Sequence, residues 1–184
     1  MMELKNFVSL AGEINAESSG KALGKLIELS EKNESIAVIA IISGGGNIVW
    51  SAAVCEMVRV LSQTTQMRIY TLGIGIVGSA AAVNIWMSVP KERRMLLPNS
   101  RLFLHCRQFS FDVKISERNE GTITEIEEPL GVIKTAREDN DNFINRFTVL
   151  TKLPNDEVRS KIEQGWLIKA TEAYDLELAG VILW

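Results

Sequence analysis

The chain has 184 residues, of which 46% are hydrophobic and 23% charged, with a net charge of −3 and a pI near 5.4. This length suits one domain, and the acidic balance gives no support for nucleic-acid binding, which usually needs a basic face. No apolar run reaches the ~20 residues that span a bilayer, and the N-terminus lacks a signal-peptide pattern. A single histidine and two cysteines argue against a zinc site. We therefore expect a cytoplasmic protein that binds neither nucleic acid nor membrane and needs no metal or cofactor.

The first part of the chain alternates between predicted strands and helices. The β-branched run at residues 36–42 is typical of a strand buried on both faces, and glycines follow it. Strands are predicted at 7–10, 36–42, 68–74, 95–97 and 102–104, and helices at 16–32, 50–61 and 79–86. Such alternation, with glycine after the strands, predicts an α/β fold.

The second part of the chain has a different pattern. Residues 109–128 are polar and poorly periodic, which predicts a long loop or an extended hairpin. Residues 133–150 have the apolar spacing of a helix that buries one side against a partner. A shorter helix is predicted at 154–163 with Asn155 as its N-cap, then a last helix at 171–179 and a hydrophobic tail at 181–184.

Two glycine-bearing turns are predicted after the buried strands, at residues 43–47 (Ser-Gly-Gly-Gly-Asn) and 75–80 (Gly-Ile-Val-Gly-Ser-Ala). Glycines allow backbone N–H groups to point at a ligand, and Ser79 stands at a helix start, where the dipole favours developing negative charge. The pair of turns could form a nucleophile facing an oxyanion hole, although either turn alone is more often structural. Phosphate binding is less favoured, because the first turn lacks the Gly-Lys-Ser/Thr of a P-loop.

His105 is the only histidine of the chain. It follows the predicted strand 102–104, and the carboxyl ends of strands carry the sites of open α/β sheets. A serine nucleophile needs a base with a pKa near neutral, and this chain offers only one histidine for that role.

In order and spacing, these pieces resemble the proteolytic subunit of the Clp protease family. Residues 43–46 match the family's first glycine turn, and residues 75–79 match its Gly-x-x-x-Ser nucleophile turn. Leu-Pro-Asn at 97–99 is followed six residues later by His105. The family's C-terminal pattern is matched by Trp166, by Ala-Thr-Glu-Ala at 170–173 and by Gly-Val-Ile at 180–182. The resemblance covers roughly residues 7–182.

The resemblance implies an α/β fold with a ClpP- and crotonase-like ββα superhelix head and a protruding handle helix. Residues 1–184 would form one domain, with the head at approximately 1–108 and 165–184 and the handle at approximately 109–164. Ser79 would be the nucleophile of a serine endopeptidase, His105 its base, and the backbone N–H groups of Gly45 and Ala80 its oxyanion hole.

The resemblance also implies an assembly. The family's heptameric rings stack in pairs to form a tetradecamer, whose enclosed chamber restricts substrates to unfolded polypeptides or peptides. An AAA+ unfoldase ATPase would be a further partner. This chain begins almost at its first predicted strand, which leaves little sequence for the family's N-terminal axial loops and puts docking of the ATPase in doubt.

The third triad position departs from the family. An aspartate is expected two residues before the aromatic residue Trp166, and Gln164 stands there, with Glu163 as the adjacent carboxylate. A glutamine can orient the imidazole but cannot stabilise the imidazolium as a carboxylate does, and an aspartate-to-asparagine change costs about 10⁴ in a serine protease. We predict a weak Ser-His site, or one rescued by Glu163.

Two segments are longer than their family equivalents. Residues 90–94 carry one extra residue, which we interpret as a surface insertion, and residues 172–180 carry about two.

Three other functions remain open from the sequence. A catalytically impaired ring subunit could serve structure or regulation, alone or with an active paralogue. An acyl-CoA enzyme on the crotonase-like scaffold would use paired N–H groups without a serine. A serine–lysine dyad peptidase would use Lys114 or Lys134.

Overall fold

A mostly parallel sheet organises the chain in this computed structural model, which describes residues 5–106 and 124–183, with residues 124–133 as backbone only. Its seven strands run in the order β1-β2-β3-β4-β7, and β5 pairs with β3 and with the antiparallel β6. The strands are β1 Phe7–Ile14, β2 Ile36–Gly46, β3 Arg68–Gly78, β4 Arg94–Leu96, β5 Arg101–Leu104, β6 Trp166–Lys169 and β7 Val181–Ile182.

Helices connect these strands and pack on the sheet. They are α1 Ala16–Glu31, α2 Ile48–Thr64, α3 Ser79–Trp86, α4 Thr124–Thr151, α5 Asn155–Glu163 and α6 Ala170–Asp175, with a short 3-10 turn at Lys91–Arg93. The α/β class predicted from the strand–helix alternation is confirmed.

The core lies on both faces of β2 and β3, as their β-branched runs predict. Val38 and Ile39 point to opposite faces and are both fully buried. On one face, the Trp86 indole donates to the Met95 carbonyl at 3.1 Å, and the Thr71 hydroxyl donates to the Trp86 carbonyl at 2.7 Å. These buried polar groups are therefore satisfied, and they fix α3 against the middle of the sheet.

Strands β1, β2 and β3 run further than predicted. The glycine segments expected as turns are strand ends, because β2 continues to Gly46 and β3 to Gly78. Pairing of Ile14 with Gly46 and of Ser43 with Val77 keeps both ends extended. Strand β1 likewise continues past Gly12, whose φ of +79° accommodates a register shift rather than a strand end.

Several helix boundaries also correct the sequence-based prediction. Asn47 caps α2, its side chain accepting from Val49 N at 2.8 Å, so the helix starts two residues early. Pro154 rather than Asn155 holds the N-cap of α5, since the Asn155 amide donates instead to Asn145 Oδ1 at 2.9 Å.

The remaining corrections concern the second part of the chain. Helix α4 begins at residue 124, so residues 124–128 are helical instead of a loop or hairpin, while residues 109–123 lie outside the described chain. Helix α6 ends at Asp175, before the predicted 179, and strands β6 and β7 were not predicted.

The C-terminal half of α4 belongs to the same core as the sheet. Ile144 and Phe147 are fully buried, and Phe143 packs on Phe147 with ring centroids 5.0 Å apart. Within the described ranges, no helix is long and apolar enough to cross a membrane.

Candidate active site

Ser79 lies at the junction of β3 and α3 with its backbone in a strained conformation. Its φ of +60° is in the left-handed region, which is uncommon for a residue with a Cβ. Gly78 precedes it, and a Cβ there would lie 3.0 Å from the Gly44 carbonyl oxygen, so the two strand ends approach each other closely at this point. Such outliers concentrate at functional sites, because surrounding structure must hold them in place. The arrangement presents a serine hydroxyl at the carboxyl edge of the sheet.

The backbone of Gly45 lies directly against this serine. A Cβ on Gly45 would contact Ser79 Cβ and lie 3.0 Å from Ser79 Oγ, and the φ of +120° also requires glycine. The N–H of Gly45, however, donates to Ser43 Oγ at 3.1 Å, and the Ser43 hydroxyl donates to the Gly45 carbonyl at 3.2 Å. The predicted oxyanion donor is therefore adjacent to the nucleophile but engaged by a buried hydroxyl.

His105 reaches the same edge because β5 pairs with the end of β3. Gly78 is opposite Phe103 in this parallel pairing, which brings the residues after Gly78 and after Phe103 close together. The sequence argument placed Ser79 and His105 at the ends of strands, and the sheet puts these strands side by side. No hydrogen bond joins the two side chains among the described contacts.

The imidazole of His105 is oriented by a backbone carbonyl. Its Nδ1 lies 2.7 Å from the carbonyl oxygen of Cys106. Because a carbonyl can only accept, Nδ1 carries a proton in this contact, and in the neutral ring the lone pair is then on Nε2. The Phe103 ring packs beside the imidazole, with ring centroids 5.2 Å apart. The histidine is thus held in the tautomer that a serine general base needs.

Gln164 forms no hydrogen bond with the ring of His105 among the described contacts. The side chain of Gln164 donates to Ser160 Oγ at 3.0 Å and is exposed. Gly165 follows with φ +84°, and a Cβ there would lie 3.2 Å from the Phe103 ring. The turn after α5 therefore contacts the Phe103 ring, and the Phe103 ring in turn packs beside His105.

The carboxylate of Glu163 forms an ion pair with a basic side chain. Its carboxylate is 53% exposed and lies 3.7 Å from Arg159, which also pairs with Asp141 at 2.7 Å. The pKa of the Cys106 thiol is raised, first by burial and then by the negative charge of Glu163. Glu163 is therefore close enough to act electrostatically on the residue after His105, while its ion-pair partner is Arg159.

Comparisons with known proteins identify the family of this chain. A family model described as Clp protease matches residues 1–183. A curated relative from Rhizobium johnstonii, "ATP-dependent Clp protease proteolytic subunit 3", is 26% identical over 181 residues, which is 96% of this chain and 82% of the relative. Subunit 2 of the same protease from Treponema denticola is 35% identical over 99 residues, which is 53% of this chain and 47% of that protein. A solved structure of a ClpP1 point mutant from Listeria monocytogenes superposes with a TM-score of 0.72 at 20% identity and covers 97% of this chain and 91% of the solved chain.

The chain belongs to the Clp protease family. The match spans nearly the whole chain, so the resemblance seen in the ordered motifs is confirmed, and membership supports a peptidase role. The low identities make it a divergent member.

Other residues from the sequence argument take positions in this Clp protease fold. Lys134, one candidate for a serine–lysine dyad, has a side chain that is 81% exposed and lies 4.0 Å from Glu138. Lys114 falls outside the described residues. No group of three potential metal ligands occurs in the part of the chain that the structure describes.

Sequence reasoning missed Ser43 as a residue of the site. Its hydroxyl is buried against the glycine segment, and serine there was interpreted only as part of a turn. A serine two residues before a glycine of the predicted oxyanion hole was the available clue.

Proposed function

We propose that this member of the Clp protease family is a serine endopeptidase subunit. Ser79 attacks the peptide carbonyl, and His105 Nε2 takes its proton and later delivers it to the leaving amine. The observation that carries the proposal is the left-handed backbone of Ser79, which is wedged against Gly45 at the end of β3. A serine that merely capped a helix would not need this conformation, because N-cap residues are ordinarily extended.

The backbone N–H groups of Ala80 and Gly45 are proposed to bind the oxyanion. Ala80 is in the first turn of α3, where N–H groups lack intrahelical acceptors and the helix dipole is positive. Gly45 contributes its N–H once the oxyanion competes successfully with Ser43 Oγ, since a charged acceptor forms the stronger hydrogen bond. The oxyanion hole is thus completed as negative charge develops.

The third triad position is proposed to be degenerate. The Cys106 carbonyl orients His105 but carries no full negative charge, so the imidazolium is stabilised less than by a triad carboxylate. Gln164 and Glu163 remain candidates for this role only if the turn after α5 rearranges, because Ser160 and Arg159 hold them. We therefore expect slow catalysis.

Family membership supports a proposal about the assembly and its substrates. We propose a homo-oligomer of heptameric rings stacked in pairs, a single domain whose head builds each ring and whose handle, from about residue 109, joins the rings. Its substrates are unfolded polypeptides or peptides admitted to the chamber. The relatives' names include "ATP-dependent", and we extend to this chain an AAA+ unfoldase ATPase partner and a cytoplasmic location.

Labelling with a fluorophosphonate tests the catalytic serine. We expect Ser79 to be modified in the wild type, no labelling in Ser79→Ala, and strong reduction in His105→Ala, because the histidine activates the hydroxyl. Lys134→Ala serves as the matched control and should label normally, since this side chain is exposed and paired with Glu138. Equal labelling of wild type and Ser79→Ala would contradict the enzyme proposal.

A second function is favoured by one contact and by one absence among the described residues. The engaged N–H of Gly45 and the absence of a carboxylate on His105 within the described residues fit a catalytically impaired ring subunit with a structural or regulatory role. An assembled protein without Ser79 labelling would support this alternative.

A further inference from the structure

A cavity of about 230 Å³ opens beside Ala80, between α3 and the C-terminal half of α4. Its walls include Ile48, Asn84, Asn142, Phe143 and Arg146. At ~30 Å³ per water molecule, the space holds roughly eight waters, which is enough for one extended side chain. Because Ala80 directly follows Ser79, the cavity opens next to the proposed nucleophile.

Arg146 provides the charge at one end of this cavity. One guanidinium nitrogen donates to Asn84 Oδ1 at 3.1 Å, and Asn84 is one helical turn from Ala80 on the same face of α3. A guanidinium has five N–H donors, and the hydrogen bond to Asn84 uses one of them. No carboxylate of the described residues forms an ion pair with Arg146, whereas Arg59 and Arg159 are paired with Glu56 and Asp141 respectively.

The acidic residue of the cavity lies at its other end. Asp139 precedes Arg146 by seven residues on α4, a separation of roughly 10 Å along the helix axis. Glu56 lies in a neighbouring depression that Arg146 also borders, and its carboxylate is paired with Arg59 at 2.8 Å. The end of the cavity at Asn84 therefore combines one cation with one amide.

We propose that Arg146, supported by Asn84, selects substrates with an acidic side chain, glutamate above all, at the residue before the scissile bond. This inference rests on the proposed peptidase function and adds its substrate class. The carboxylate would form charge-assisted hydrogen bonds with the guanidinium, while the apolar stem of the side chain packs on Phe143 and Ile48. A leucine of similar size fits the apolar wall and leaves Arg146 without an anionic partner.

Two peptide phosphonate probes that differ only in glutamate or leucine at this position test the inference on the full chain. We expect the glutamate probe to label Ser79 roughly ten- to one-hundredfold faster, the range for hydrogen bonds to charged groups. Arg146→Met should remove the preference, and Arg146→Glu should favour a lysine probe instead. Arg137→Met is the matched control, an exposed arginine on the same helix, and should keep the glutamate preference.

The fluorophosphonate rate separates the possible failures. This reagent carries no side chain for the cavity, so Arg137→Met should react with it at the wild-type rate, and each Arg146 variant is judged by the ratio of its glutamate-probe rate to its leucine-probe rate. Normal fluorophosphonate labelling without a glutamate preference in the wild type, or with the preference retained in Arg146→Met, overturns the inference and leaves the peptidase proposal intact. Absence of fluorophosphonate labelling in every variant overturns both.

Discussion

At the residue scale, the buried hydroxyl of Ser43 binds a backbone N–H that the proposed mechanism also uses. It accepts from the N–H of Gly45, the same group that the proposed mechanism aims at the oxyanion. Ser43→Ala removes this acceptor and should raise the fluorophosphonate labelling rate of Ser79 by about two- to tenfold, in line with the ~1 kcal/mol of an ordinary hydrogen bond. Slower labelling in a folded Ser43→Ala protein would show that the hydroxyl shapes the glycine segment instead.

The third triad position gives the second prediction at this scale. Gln164 donates to Ser160 and not to His105, so Gln164→Ala should change peptide hydrolysis by less than about threefold. His105→Ala should reduce the same rate by at least about 10³, because it removes the general base. Both kcat values come from one peptidase assay, with Ser79→Ala as the background. A loss in Gln164→Ala comparable to that in His105→Ala would place the glutamine in the triad.

The site residues differ in how far the sequence could predict them. Ser79 and His105 could be found because each follows a strand that is visible as an apolar run, and parallel strands end at one edge. The Cys106 carbonyl could not be found, since every residue has a carbonyl and only the fold says which one a histidine meets. The positive φ of Ser79 is likewise a property of the surrounding strands.

At the scale of elements, the two segments predicted to be longer than their family equivalents pack against each other. The Gly180 N–H donates to the Arg94 carbonyl at 3.0 Å, and an Arg94 guanidinium nitrogen donates to the Leu178 carbonyl at 3.3 Å. Lys91 adds an ion pair with Glu177 at 3.2 Å. The segment 90–94 therefore contacts the segment 172–180, with Lys91 and Glu92 exposed at the surface.

Gly180 is the tightest point of this contact. A Cβ there would meet the Lys91 backbone, which cannot move aside as a side chain would. Gly180→Ala should destabilise the protein by about 1–3 kcal/mol, the usual cost of overpacking. For a chain of this size, that corresponds to a Tm lower by roughly 2–10 °C. Gly24→Ala in α1, where a Cβ meets nothing within 4 Å, should instead raise the Tm slightly.

A Tm unchanged in Gly180→Ala, measured by scanning calorimetry beside Gly24→Ala, would contradict close packing of the two segments.

The helices and the buried strands could be predicted from the sequence because apolar periodicity reflects burial. The glycine-containing ends of β2 and β3 could not be predicted as strand, because glycine has a low strand propensity. Pairing with a neighbouring strand keeps these segments extended. Strand β6 has only four residues, too few for an alternating pattern to stand out.

At the scale of the whole molecule, two large apolar side chains remain exposed on adjacent strands. Ile42 in β2 is 46% exposed and Ile76 in β3 is 49% exposed. Ile42 precedes Ser43, and Ile76 precedes Val77. Because Ser43 and Val77 are buried and pair with each other, both isoleucines point to the opposite face of the sheet. An apolar pair at this edge of the sheet has no partner within the described chain, and the proposed ring offers one in a second copy.

Charge at this pair should therefore weaken assembly without unfolding the subunit. Ile42→Glu and Ile76→Glu would each place a carboxylate at a contact that buries apolar surface, where an unpaired charge is costly. We expect sedimentation velocity to show the wild type as a large ring assembly and each variant as smaller species at the same concentration. Val60→Glu is the matched control, because Val60 is 40% exposed on α2 and away from the pair. Wild-type sedimentation of both isoleucine variants would exclude this face from the interface, and a monomeric wild type would contradict the ring itself.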